Sequence, residues 1–126
     1  MTARRVVVID DKHDSVWTLK RVLELSGHDV EVAYDGEGGI AKAREFSPEV
    51  VLCDIGLPGD TDGYAVARTL RGDQEFSSCL MIAITGYGRD EDARKAAEAG
   101  FDLHMTKPVD AIALAKLVSD HDAQAS

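Results

Sequence analysis

Basic residues are in short supply in this chain of 126 residues: 14 Lys and Arg stand against 23 Asp and Glu, a formal net charge of −9. Affinity for nucleic acid comes largely from cationic side chains that displace phosphate counterions, so this balance argues against direct DNA binding. Long apolar runs are missing as well. The run after the two N-terminal arginines, residues 6–9, is far too short for a signal-peptide core or a membrane span, and the expected location is the cytoplasm. The two cysteines, Cys53 and Cys79, lie in or beside apolar runs without CxxC spacing or clustered histidines. Metal and redox cysteine motifs are thereby left out, and buried free thiols in a reducing compartment are expected. No segment is of low complexity and no unit repeats. Neither a dinucleotide fingerprint nor a P-loop follows the first apolar run, which disfavours a nucleotide-binding domain. The length suits one domain, expected over residues 1–122 with a short tail at 123–126, able to bury roughly two-thirds of its unfolded surface without disulfides.

What is present is an alternation. Residues 6–9, 50–53 and 80–84 are short uninterrupted apolar runs rich in Val and Ile, the signature of strands covered on both faces. Two further segments alternate, Val30, Val32, Tyr34 and Phe101, Leu103, Met105, as strands buried mainly on one side do. Helices are expected between them. The first carries Val16, Leu19, Val22 and Leu23, capped by Asp14 or Ser15 and closed by Gly27; the others span about 36–46, 64–70, 90–99 and 112–118, the last capped by Asp110. The stretch 72–78 has the composition of a linker. Five strand–helix units with short connections imply right-handed crossovers and a parallel sheet covered on both faces. With strands one, three and four central, the expectation is an α/β, flavodoxin-like doubly wound (βα)5 fold with a five-stranded sheet in the order 2-1-3-4-5.

That order brings chemistry together, because ligands bind at the carboxyl ends of strands where the winding reverses, here between strands one and three. Strand one ends in Asp10 and Asp11, and strand three ends in Asp54. Three clustered carboxylates repel one another unless a cation sits among them, and Mg²⁺, which takes a few carboxylate oxygens with waters and backbone carbonyls, fits. Thr85 closes the fourth apolar run and Lys107 closes the last strand, just before Pro108. A hydroxyl and an ammonium beside a metal and a carboxylate suit the oxygens of a transferring phosphoryl group, with Asp54 as its nucleophile.

The segments VVVIDD, LCDIGLP, AITGYG and MTKPVD together resemble the signature segments of response-regulator receiver domains, over nearly the whole chain. The resemblance implies that Asp54 accepts a phosphoryl group from a phosphohistidine on a sensor histidine kinase or histidine phosphotransfer protein. It also implies that Asp11 and Asp54 bind Mg²⁺ directly, Asp10 through water, and Gly56 through its backbone carbonyl. Thr85 and Lys107 would hold the phosphate, Lys107–Pro108 would be cis, and the acyl phosphate would hydrolyse so that the domain resets itself. Stand-alone receivers and receivers of hybrid histidine kinases are both similar, and an unknown output protein would be reached through the face around 90–99 and 110–118. The first helix and the loop leading to the last helix resemble the surface that docks a histidine-bearing helix pair.

Three departures from the family pattern stand out. The segment DIGLPGDTDG has one residue more than usual before Asp62-Gly63, giving a longer, more acidic loop in which Asp62 still suits a helix cap. His104 occupies the position three before Lys107, where the family often has Tyr or Phe; a switch role with Thr85 and a satisfied strand histidine are both open. Tyr87 is placed to shield the acyl phosphate, while Gly56 leaves the other side open. Trp17, the only tryptophan, either anchors a partner or packs in the first helix. Two other functions compete: a phosphatase of the haloacid dehalogenase type, which would need an Asp where Gly56 stands, and a degenerate receiver that binds a partner without phosphorylation.

Overall fold

The computed structural model describes residues 3–86 and 90–120; Tyr87 and the expected tail at 123–126 lie outside the described residues. Strands and helices alternate as β1 (Arg5–Ile9), α1 (His13–Leu25), β2 (Asp29–Ala33), α2 (Gly36–Phe46), β3 (Val50–Asp54), α3 (Gly63–Arg71), β4 (Leu80–Thr85), α4 (Asp90–Ala99), β5 (Leu103–Thr106) and α5 (Ala111–Asp120). All strand pairs are parallel, in the order β2-β1-β3-β4-β5. The flavodoxin-like doubly wound α/β fold expected from the alternation is therefore observed, and the crevice between the ends of β1 and β3 lies where the winding reverses. Among the described residues no helix is long and apolar enough to cross a membrane.

The pleat divides the apolar runs between two core layers. Val7, Ile9, Val51, Cys53, Met81 and Ala83 face α2, α3 and α4, meeting Ala43, Val66, Leu70 and Ala96. Val6, Val8, Val50, Leu52, Ile82 and Ile84 face α1 and α5, meeting Val16, Leu19, Leu23, Leu114 and Val118. Each fully buried Val, Leu or Ile contributes about 1.5–3 kcal/mol of transfer free energy. These central strands make a stiff floor for whatever stands at their carboxyl ends. Cys53 and Cys79 are buried and unpaired, as expected. Burial, and then the charge of Asp54, pushes the Cys53 thiol up, and burial takes Cys79 up to about 12, so neither thiol ionises near neutrality.

Several local expectations are corrected. Helix α1 starts earlier than the Asp14 or Ser15 cap predicts: Lys12 is the N-cap, without a side-chain cap, and Asp14 lies in the first turn. There its charge still complements the helix dipole. The end of α1 is as expected, with Gly27 in the left-handed region (φ 93°) and its N–H and that of His28 returning to the carbonyls of Glu24 and Leu23. Phe101 is not a residue of β5. The same closure, with Gly100 at φ 117° and Phe101 N–H on the Ala96 carbonyl, places Phe101 in the turn that closes α4. Phe101 packs in the α2–α4 layer, whereas Met105 packs in the α1–α5 layer and Leu103 is exposed. Tyr34 likewise follows β2 and is exposed, stacked on His13 with ring centroids 4.0 Å apart.

Residues 72–78 are no linker. They hold a single 3-10 turn (Gln74–Phe76) whose Phe76 is buried. Arg71 fastens this turn to the start of β5, donating to the carbonyls of Phe76 (2.8 Å), Cys79 (3.1 Å) and Gly100 (2.7 Å) and to the Asp102 carboxylate (2.8 Å). Asp62 and Asp110 cap their helices as expected, accepting from Ala65 N–H (2.9 Å) and Ala113 N–H (3.1 Å).

At the opposite end of the sheet His28 joins three elements. Its Nδ1 accepts from Arg4 N–H (3.0 Å), which leaves the proton on Nε2, 2.9 Å from the Ser119 hydroxyl. Burial, then the nearby Arg4 charge, lowers the His28 pKa below its usual 6.5. Protonation would also remove the acceptor that Arg4 uses. A histidine whose folded pKa is depressed stabilises the fold above its unfolded pKa and withdraws that stability as pH falls through 6.5 toward the folded value. Urea unfolding at pH 7.5 and 5.5 should therefore show the wild type losing more stability over this interval than His28→Gln; equal losses would contradict the assignment.

Candidate functional site

The site is assembled from strand ends. Asp10 follows β1, Asp54 closes β3, Thr85 closes β4 and Lys107 follows β5. Each strand leaves the apolar core at this edge, so a polar residue one step beyond its last buried aliphatic is delivered to the rim without breaking the core. Asp10, Asp54 and Thr85 are nonetheless buried, at 2%, 6% and 5% exposure. Asp11 is the more open member of the acidic group, and ligand oxygens of Asp10, Asp11 and Asp54 lie within 4.8 Å of one another.

Lys107 binds this group from the far side. Its Nζ lies 3.2 Å from Asp54 Oδ2 and 3.5 Å from Asp10 Oδ2. The other oxygens are held by backbone: Lys12 N–H donates to Asp10 Oδ1 (3.0 Å) and Gly56 N–H to Asp54 Oδ1 (3.1 Å). Lys107 is itself positioned by its N–H on the Thr85 carbonyl (2.8 Å), and Lys107–Pro108 is cis, as the resemblance implies. Burial alone would lower the ammonium pKa, but the charges of Asp54 and Asp10 outweigh it and the net shift is upward. Lys107 therefore stays charged. Asp10 moves up too, first through burial and then through the neighbouring Asp54 charge, with the Lys12 amide and Lys107 opposing.

Three carboxylates and one ammonium leave two negative charges uncompensated in a half-dry crevice. An all-oxygen donor set with that deficit fits a hard divalent cation, and Asp10, Asp11 and Asp54 are the residues that would hold it, with the carbonyl of exposed Gly56 on the adjoining loop. Thr85 stands on the strand next to Asp54, in the register that pairs Asp54 with Ile84.

His104 lies farther from the carboxylates. It pairs with Ala83 in the β4–β5 ladder while Thr85 pairs with Thr106, so His104 and Thr85 share a face one step apart. Its Nε2 is shielded from solvent without a hydrogen-bond partner, beside a cavity of about 60 Å³ that Ala93, Ala96, Ala97 and Phe101 help line. The satisfied strand histidine is thus not what the structure holds. Trp17 is 66% exposed, which removes the packing alternative for it. A groove of about 540 Å³ runs from Asp10 and Lys107 between α1 and the β5–α5 loop, lined by Asp14, Ser15, Thr18 and Val109 among others. Trp17 is not among its lining residues.

Two contributors escape sequence reasoning. The Lys12 amide is a backbone group with no signature of its own. Gly63, the first residue of α3, packs on the acceptor strand so closely that a Cβ there would stand 2.5 Å from the Asp54 carbonyl oxygen and 2.6 Å from Ile55 Cα. The Asp62-Gly63 pair was visible as a helix cap, but not as a contact.

Over residues 6–119 the chain matches the family described as the response regulator receiver domain. It belongs to that family. PilH of Pseudomonas aeruginosa is 35% identical over 115 residues, which cover 91% of this chain and 94% of PilH. The transcriptional regulatory protein PrrA of Mycobacterium tuberculosis is also 35% identical, over 94% of this chain but 48% of its own length, so this receiver spans about half of PrrA. The crystal structure of a CheY-like receiver domain from Methanospirillum hungatei superposes with a TM-score of 0.85 at 27% identity, covering 94% of this chain and 93% of that one. The receiver is thus a module of two-component signalling, and the phosphatase alternative is set aside.

A buried carboxylate whose folded pKa is raised loses stability as pH rises from its unfolded value through the folded one, so ionised Asp10 opposes folding at neutral pH. Asp10→Asn keeps the shape and removes the charge. At pH 7.5 without divalent ions it should gain about 1 kcal/mol in denaturant unfolding, and a loss would show that the Lys107 contact outweighs burial and repulsion.

Proposed function

We propose that this receiver accepts a phosphoryl group from a phosphohistidine onto Asp54, with Mg²⁺ held by Asp10, Asp11, Asp54 and the Gly56 carbonyl. The observation that carries this reading is the Lys107 ammonium lying between Asp54 and Asp10 at the rim of the crevice. When bound, Mg²⁺ supplies charge neutralisation for the phosphoryl oxygens. The chain's own residues do the rest. An Asp54 carboxylate oxygen forms the new P–O bond as the P–N bond to the donor imidazole breaks, its electron pair leaving with the donor nitrogen. Gly56 N–H orients Asp54 through Oδ1, and Lys107 and the Thr85 hydroxyl receive the phosphoryl oxygens. The resulting acyl phosphate is hydrolysed on the same site, so the protein is a self-resetting switch rather than an enzyme acting on a separate substrate.

The donor is a sensor histidine kinase or a histidine phosphotransfer protein in the cytoplasm, and the groove between α1 and the β5–α5 loop receives its helix pair. The receiver acts on an output protein by contact. The domain proper runs over 1–122, with 123–126 as a tail. Phosphorylation adds charge and acceptor oxygens at Asp54, draws Thr85 and Lys107 toward them, and is passed to α4 and α5 through His104, whose imidazole moves into the space behind Thr85.

Incubation with Mg²⁺ and acetyl phosphate, followed by intact-mass measurement, should give a labile gain of one phosphoryl group in the wild type and none in Asp54→Asn. No gain in the wild type would leave a phosphorylation-independent binding module instead. His104→Ala should be phosphorylated to the wild-type extent while losing the amide chemical-shift changes in α4 and α5 that phosphorylation induces. Shift changes in that variant as large as those of the wild type would remove His104 from the switch.

A further inference from the structure

The corner between β2 and α2 supplies no side chain to the acidic crevice, yet it touches segments on both sides of it. Gly36, the first residue of α2, is buried, and a Cβ there would run into the Thr61 carbonyl oxygen and stand 2.7 Å from Thr61 Cγ2. Thr61 belongs to the loop between β3 and α3, the one that is a residue longer than the family pattern. Gly39 lies one turn further along α2 on the same side. A Cβ there would run into Ile9 Cδ1 and stand 2.9 Å from Ile9 Cγ1. Ile9 is the last residue of β1, immediately before Asp10. The corner also accepts the Asp10 N–H on its Ala33 carbonyl (3.1 Å). It is stiff in itself, since Asp35 caps α2 through Gly38 N–H (2.6 Å) and its carbonyl takes Gly39 N–H (2.9 Å).

We infer that Gly36 and Gly39 are positioning residues for phosphoryl transfer: by letting α2 close on Thr61 and on Ile9, they set the distance between Asp10 and the loop that carries Gly56. This rests on the function proposed above. The loop leaves Asp54, passes buried Leu57, and returns through Thr61 to Gly63, whose N–H bonds the Ile55 carbonyl (3.0 Å). Pushing Thr61 outward pulls on the segment whose Gly56 amide holds Asp54 Oδ1. Pushing Ile9 displaces Asp10 directly. Carboxylates that must share one small cation tolerate little such drift.

The two glycines differ in what a methyl group meets, and that difference supplies the test. At position 36 the obstacle is a backbone oxygen, which no side-chain trimming removes. At position 39 it is the side chain of Ile9: Ile9→Val takes away Cδ1, the nearest atom, and leaves Cγ1 at 2.9 Å and Cγ2 at 3.0 Å, contacts that a small turn of the shorter side chain relieves. The rate of phosphorylation by acetyl phosphate is measured against Mg²⁺ concentration for the wild type, Gly36→Ala, Gly39→Ala and each combined with Ile9→Val. Gly72→Ala, where a Cβ meets nothing closer than 3.4 Å, serves as the control, and thermal melting is recorded for all. Gly36→Ala and Gly39→Ala should raise the half-saturating Mg²⁺ concentration about tenfold, Ile9→Val should restore it in Gly39→Ala and not in Gly36→Ala, and Gly72→Ala should match the wild type. Half-saturation unchanged in both variants, whatever their melting temperatures, would overturn the inference, as would Ile9→Val failing to restore Gly39→Ala. If neither single variant folds, Ile9→Val must return Gly39→Ala to both folding and wild-type half-saturation; folding regained with weak Mg²⁺ dependence would overturn it equally. A wild type that takes no phosphoryl group at all would fail the underlying function instead, which keeps the two apart.

Discussion

Negative charge buried at one end of a parallel sheet is the constraint on which this structure turns. Asp10 and Asp54 are nearly inaccessible, they face each other across the crevice, and the single ammonium of Lys107 serves both. One cation cannot neutralise three carboxylates, so the site is held in a state that its own electrostatics oppose. Burial and repulsion raise the Asp10 pKa, and the same field keeps Lys107 protonated. A protein that bound no cation there would gain by losing one of these acids. The receiver keeps all three, and the repulsion in their proximity is what a divalent ion would relieve.

The rest of the fold can be understood as holding that arrangement still. Fully buried aliphatics on β1, β3 and β4 fix the strand ends, and neighbouring registers bring Asp54, Ile84 and Thr85 to the same rim. Backbone amides, which cannot move far, take the remaining carboxylate oxygens. Small residues at the starts of α2 and α3 let those helices approach the loop between β3 and α3 closely. Arg71 performs the analogous task under the β4–β5 side, tying the loop before β4 to the loop before β5 through the carbonyls of Phe76, Cys79 and Gly100. The edge around His104 is packed more sparsely, with an unpaired imidazole nitrogen beside alanines and a small cavity. A sheet that is rigid at its centre and loose at that edge has somewhere for a signal to go.

The places where sequence reasoning failed share a cause. Phe101 alternates with Leu103 and Met105, and on periodicity alone belongs to their strand; the left-handed turn at Gly100 instead places it in the closing turn after α4, facing the core layer opposite to that of Met105. Tyr34 continues the alternation of Val30 and Val32 but lies beyond the last pair of the ladder, where stacking on His13 replaces burial. The polar composition of 72–78 suggests a linker because its anchor, Arg71, acts through carbonyl groups that composition does not report. In each case a contact between distant segments overrode a local pattern that was correctly described. The site residues were readable for the converse reason. A carboxylate or lysine at the end of an apolar run is a local signal, and four such signals in one chain order are hard to satisfy by accident.

By itself the sequence determined the alternation of strands and helices, the parallel sheet and its order, and the identity of the acids and the lysine at its edge, because hydrophobic period, caps and chain order are all short-range properties. Tertiary structure alone decided which oxygen of which carboxylate each donor reaches, that Lys107 bridges two acids, that His104 is left without a partner, and that two glycines of α2 abut Ile9 and Thr61. Those are facts of separation at the scale of an ångström between residues tens of positions apart. Such separations follow from how whole layers pack, and no local run of residues encodes them.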